Sequence, residues 1–208
     1  MWILTPLLLV VVMLAVFASI MRDGLWSNLL MLINVITAGL VAMTFFEPVA
    51  AFLTKQLPKG TLFWDMIALW VLFAASLGVM RAITDFVSKF RVRFKPPVEM
   101  VGGYVLALAV AYVGMAFAAT TLHTAPLSRN FLRGGFRPED PLLFGLKPDR
   151  QWLAFVQMVS RGSLARLADE KDAEKYVFDP KAEFMPKYAS RRTKYEQTTT
   201  FTGFGSGS

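Results

Sequence analysis

The sequence predicts an all-α protein: a four-span transmembrane helical bundle with an interfacial amphipathic helix and a largely irregular polar C-terminal tail. Three observations carry this. The 208 residues are 55% hydrophobic, with mean hydropathy +0.47, which is oilier than a soluble domain. Only 18% are charged, thin cover for a molecule kept in water. The charge is also unevenly placed: residues 1–122 hold 8 Lys/Arg and 5 Asp/Glu, while 123–208 hold 14 and 10. This argues against a soluble enzyme built around one core. The absence of cysteine excludes disulfide frameworks, thiolate zinc sites and cysteine nucleophiles.

Residues 1–122 form the predicted membrane domain. Crossing about 30 Å of hydrocarbon takes roughly 20 apolar residues, and four windows have that length. The spans are residues 2–21, 25–46, 61–80 and 101–122. The first has no basic residues before it and no small-x-small site after it, so it reads as an uncleaved span and not a signal peptide. The second is closed by Glu47-Pro48, with Pro48 expected to break the helix. Beyond it, Val49–Leu53 stays apolar, as in a short interfacial or re-entrant helix. The third contains Asp65, near enough to an end to reach headgroups, and is closed by Arg81. The fourth ends at His123 and Pro126.

Small residues recur four apart: Ala38/Ala42 in span two, Ala74/Gly78 in span three, and Gly103/Ala107/Ala111 with Gly114/Ala118 in span four. Such faces let helices approach closely, which drives association in lipid. The ladder on span four predicts a helix that sits centrally or pairs with another copy. Asn34, near the middle of span two, is expected to hydrogen-bond to another helix.

After span three, Ile83, Phe86, Val87, Phe90 and Phe94 share one helical face, with Arg81, Lys89, Arg91, Arg93 and Lys95 largely elsewhere. Two readings stand: a basic amphipathic helix lying on anionic headgroups, or a simple continuation of span three. Pro96-Pro97 then stops the helix. The loops on the Arg22 side hold six basic residues and the other face five. Arg22 after an uncharged start tips the orientation towards both termini lying outside the cytoplasm.

Residues 123–167 read as an extramembrane loop and amphipathic helix, and 168–208 as a flexible polar tail. In the loop, Phe131, Phe136, Leu142, Leu143 and Phe144 are apolar anchors. Asp149 is placed to cap a helix reaching about Leu167, with Trp152, Phe155, Val156 and Val159 on one face. From Ala168, isolated aromatics among charges and prolines cannot form their own core; the stretch is disordered or an arm laid over a partner. The closing Gly-Ser repeat reads as a flexible end.

The chemistry-bearing residues converge on no catalytic site, no cofactor site and no metal site. His123 is a lone imidazole with no ligand at metal spacing. Acids interleaved with the tail's bases argue against nucleic acid.

The order of features resembles the colicin V production protein (CvpA) family. The likeness runs through Arg22-Asp23-Gly24-Leu25, then Leu29–Ile33, Ala38-Gly39-Leu40, Phe45–Leu53 and Val101-Gly102-Gly103-Tyr104. An acidic residue the family often shows early in span one is missing from Trp2-Ile3-Leu4-Thr5. The resemblance implies a multi-pass protein of the bacterial inner membrane with no catalytic role. Its expected partners are the bilayer and a second copy or other envelope proteins. The expected function is an oligomeric scaffold or accessory in envelope maintenance or toxin production, the alternative being a channel or transporter component. As possible path-lining residues the sequence offers Asn34, Thr37, Asp65 and Ser76.

Overall fold

The computed structural model describes residues 4–57, 63–88, 92, 94–125, 142–162, 177–191 and 193. Among them are six helices and no sheet. They are α1 (Leu4–Ile20), α2 (Leu25–Gln56), α3 (Trp64–Val87), α4 (Pro96–Thr124), α5 (Pro148–Gly162) and α6 over residues 184–191. The last three of the first four, α2, α3 and α4, are long and apolar enough to cross a membrane. The 17 residues of α1 are as apolar but shorter, about 25 Å of helix.

The central helix is α4, which packs against each of α1, α2, α3 and α5. Its inner face repeats every four residues: Gly103, Ala107, Ala111, Met115, Ala119 and His123 are all buried. The facing stripe on α2 has the same period, through Asn34, Ala38, Ala42, Phe46 and Ala50. Small side chains in these ridges let the backbones close up, so that many weak van der Waals contacts add. Above this seam a larger cluster forms from Met43, Phe46, Leu69, Phe117, Trp152 and Tyr188. Phe117 is its hub, stacked on Phe73 at 4.4 Å between ring centres and edge-on to Trp70 and Trp152.

Several expectations change. Pro48 does not break span two; α2 runs through it to Gln56 as one helix of 32 residues. Proline removes one backbone donor and crowds the carbonyl four residues back, yet flanking turns and neighbouring helices keep such a helix continuous. The stop comes at Leu57, which has left the helical region (φ −134°, ψ 75°) and precedes Pro58, a neighbour that disfavours the helical conformation. Pro96-Pro97 likewise begins a helix where the sequence suggested an end. The two prolines occupy the first positions of α4, where their missing N–H groups cost nothing.

Span three continues as α3 through Arg81 to Val87, the second of the two readings for that stretch. Lys89, Arg91 and Arg93 lie outside the described residues.

The proximal tail is partly ordered on the bundle. Leu142 and Leu143 bury themselves against Leu9, Met115 and Ala119. Phe144, expected as another anchor, instead points outward, 79% exposed. It occupies a tight turn with φ +42° beside Gly145 at +94°, closed by reciprocal hydrogen bonds between Leu143 and Leu146. Phe131 and Phe136 lie outside the described residues. Residues 177–191 also dock: Phe178, Phe184, Met185 and Tyr188 join the cluster around Phe46. These aromatics need no core of their own because the bundle supplies one.

Candidate functional site

Two sequence segments 75 or so residues apart meet at one end of the molecule. Gly24 precedes α2 with φ +83°, ψ 171°, a backbone region that is essentially glycine's alone. A Cβ there would also lie 2.6 Å from Glu99 Oε1. Glu99, in the first turn of α4, accepts from Leu25 N–H at 3.1 Å with Oε1 and from Phe94 N–H at 3.1 Å with Oε2. Its carboxylate thus satisfies an orphan donor at the start of α2 and sits where the helix dipole favours negative charge. A Cβ built on Gly103 would meet the backbone of Gly24 and Leu25 at 3.4–3.6 Å. Asn28, fully buried, donates to the Gly103 carbonyl at 2.9 Å. The Asp23-Gly24-Leu25 turn and the Gly102-Gly103 step are two halves of one clasp.

Beside the clasp, a polar cleft of about 120 Å³ lies between α2 and α3. Asp23, Trp26, Ser27, Leu30, Met31 and Asn34 form one wall, and Arg81, Thr84, Asp85 and Ser88 the other. The walls are tied at two levels: Trp26 Nε1 donates to Ser88 Oγ at 2.8 Å, and Asn34 Nδ2 to Thr84 Oγ1 at 3.0 Å. The second is the interhelical bond expected of Asn34. Arg81 and Asp85, one turn apart, are 3.9 Å from each other and largely exposed.

At the opposite end lie three further polar contacts. His123 is buried, and its Nε2 is 2.9 Å from Asp149 Oδ2. Asp149 therefore does not cap α5: it stands at that helix's second position with its side chain turned to α4. His123 stands near the end of span four, yet the protein encloses it completely. Its partner, 26 residues on, is invisible to any local spacing rule. On the same end, Arg191 pairs with Asp65, and Lys187 with Glu47 at 2.6 Å. Asp65 was expected to reach headgroups; it is held inside, 8% exposed, by α6. Burial first, then the nearby Asp65 charge, push the Tyr188 hydroxyl above the usual phenol range.

The small-residue candidates divide by location. Ala38, Ala42, Gly103, Ala107 and Ala111 lie inside the bundle. Gly114 and Ala118 are half-buried, with open space beside Gly114. Ala74 and Gly78 face outward, and nothing stands within 4 Å of a Cβ built at Gly78. Lys95, of the basic set, is exposed just before α4.

Gly39, quoted above only as part of a resemblance, has a structural task. A Cβ on it would be 2.6 Å from the Trp152 ring, so its bare backbone is what seats α5. Among the described residues no three acids or histidines are placed to share a metal ion. The arrangement can hold helices, bind polar groups in the cleft and dock a tail.

No curated protein and no solved structure is significantly similar to the chain. A family model does match it: the one described as colicin V production protein, over residues 5–134. That stretch takes in α1 to α4, the clasp and the cleft, and by it the chain belongs to the colicin V production protein family.

Proposed function

We propose that this protein is a four-span, non-catalytic component of the bacterial inner membrane that self-associates through α3 and serves as a scaffold or accessory in envelope maintenance or toxin production. One observation carries the reading. α3 is apolar, yet only 11% of its most hydrophobic stretch is buried within the monomer. Its outer face presents Ala74 and Gly78 one turn apart beside Val71 and Val79, a small-xxx-small surface of the kind helices use to pair in lipid. For α1 the support is composition: its apolar run starts at Trp2 in the sequence and meets the length of a span.

The transporter alternative is poorly supported. Asp65 and Thr84, the partner of Asn34, stand 19 residues apart on α3, about 28 Å along the axis. Each is hydrogen-bonded to a partner of its own, and among the described residues no path joins the two.

The chain has no cysteine, so single thiols test the assembly directly. Gly78→Cys in native membranes should give an oxidised dimer, and Gly114→Cys should not. Gly78→Leu should abolish association measured by cross-linking of the otherwise unmodified protein. A monomer throughout, with both cysteine variants equally uncross-linked, would rule out α3 as the assembly face.

A further inference from the structure

The cleft between α2 and α3 is a polar recess in the side of two helices that are otherwise apolar. Ile33, Ile83 and Phe86 are exposed near its rims, so the surface around it suits acyl chains. From Trp26 to Asn34 it reaches eight residues inward, about 12 Å along α2. That is deeper than the headgroup layer of a bilayer. Polar groups left bare at such depth are costly, and the space, enough for about four waters, calls for an occupant that is polar within and apolar without.

The wall charges narrow the choice. Arg81 is the cation; Asp23 and Asp85 are the anions. A purely anionic headgroup meets two carboxylates, and a purely cationic ligand meets a guanidinium. A zwitterion satisfies both. At 3.9 Å the Arg81–Asp85 contact is loose, leaving Arg81 donors for a phosphate and Asp85 for an ammonium. The Ser27 hydroxyl and the second Asn34 amide hydrogen line the same cleft and can donate to ester oxygens. A primary ammonium, with three N–H donors, suits paired carboxylates better than a quaternary one.

We propose that this cleft binds the phosphoethanolamine headgroup of a membrane aminophospholipid, with phosphate on Arg81 and ammonium on Asp23 and Asp85. It depends on α2 and α3 lying in a bilayer and is independent of pairing through α3; a monomer that binds selectively upholds it.

Native mass spectrometry of the purified full chain tests it, with phosphatidylethanolamine, phosphatidylglycerol and soluble phosphoethanolamine titrated separately. Wild type should take up phosphatidylethanolamine at about tenfold lower concentration than phosphatidylglycerol, a free-energy difference of about 1.4 kcal/mol. Arg81→Gln should abolish that adduct and Arg81→Lys should retain it. Asp23→Asn with Asp85→Asn should equalise the two lipids. Equal uptake of both lipids by wild type, or variants indistinguishable from it while circular dichroism shows them folded, overturns the site. Tighter binding of soluble phosphoethanolamine than of the lipid overturns the assignment to a membrane source.

Discussion

Gly24 is where backbone geometry and side-chain contact make the same demand. Its φ of +83° excludes a side chain on conformational grounds, and Glu99 occupies the space a Cβ would need. Gly24→Ala is therefore expected to cost about 1–3 kcal/mol, the usual penalty for forcing such a backbone. Gly114→Ala, in open space within α4, should instead gain about 0.5–1 kcal/mol from helix propensity. Reversible denaturation of the two variants in detergent checks both signs. Sequence alone could not separate these glycines. Gly24, Gly102 and Gly103 conform to no phosphate-binding pattern, and the contact that gives them meaning joins distant segments. Asn34 was readable because a strong polar group in mid-span must find a partner, whereas Asn28, near a span end, carried no such signal.

The helices themselves show where periodicity suffices. Four long apolar runs and their small-residue stripes were visible in the sequence, because length and spacing are local properties. Pro48 misled, since a proline rule drawn from soluble helices overlooks how a packed apolar helix absorbs one lost bond. α5 was readable as amphipathic, but not its seat. Trp152 lies on Gly39 and Phe117, and Asp149 meets His123 inside the protein. His123→Ala leaves the Asp149 carboxylate buried without that partner, a cost of about 1–3 kcal/mol paid where α5 joins α4. In a Val156→Cys background, thiol labelling at this buried position should accelerate when His123→Ala is added. Unchanged labelling would mean that the aromatic contacts alone hold α5.

Across the whole molecule, the length of α2 sets its relation to the bilayer. Thirty-two residues make about 48 Å of helix, against about 30 Å of hydrocarbon. Fitting it entirely within that slab would take a tilt of about 50°, more than spanning helices adopt. Part of α2 must therefore emerge, and the end from Glu47 onward, carrying Lys55 and docked by α6 through Lys187, is the part built for it. A membrane-impermeant maleimide should label Phe52→Cys and spare Ile33→Cys, although both positions are more than half exposed on the protein itself. Equal labelling would place α2 outside the bilayer. The tail's docking was hidden for a related reason: Phe178, Phe184 and Tyr188 look stranded in their own segment, yet they join a cluster that reaches back to Phe46 on α2, more than a hundred residues earlier.

The clasp between Gly24 and Glu99 bears on biogenesis. A chain emerging from the ribosome delivers α2 long before the carboxylate and glycines that finish its first turn. Until α4 is synthesised, the start of α2 must borrow its hydrogen bonds from water or lipid headgroups. The start of α2 is thus provisional until the fourth helix arrives and Glu99 supplies the acceptor for Leu25 N–H.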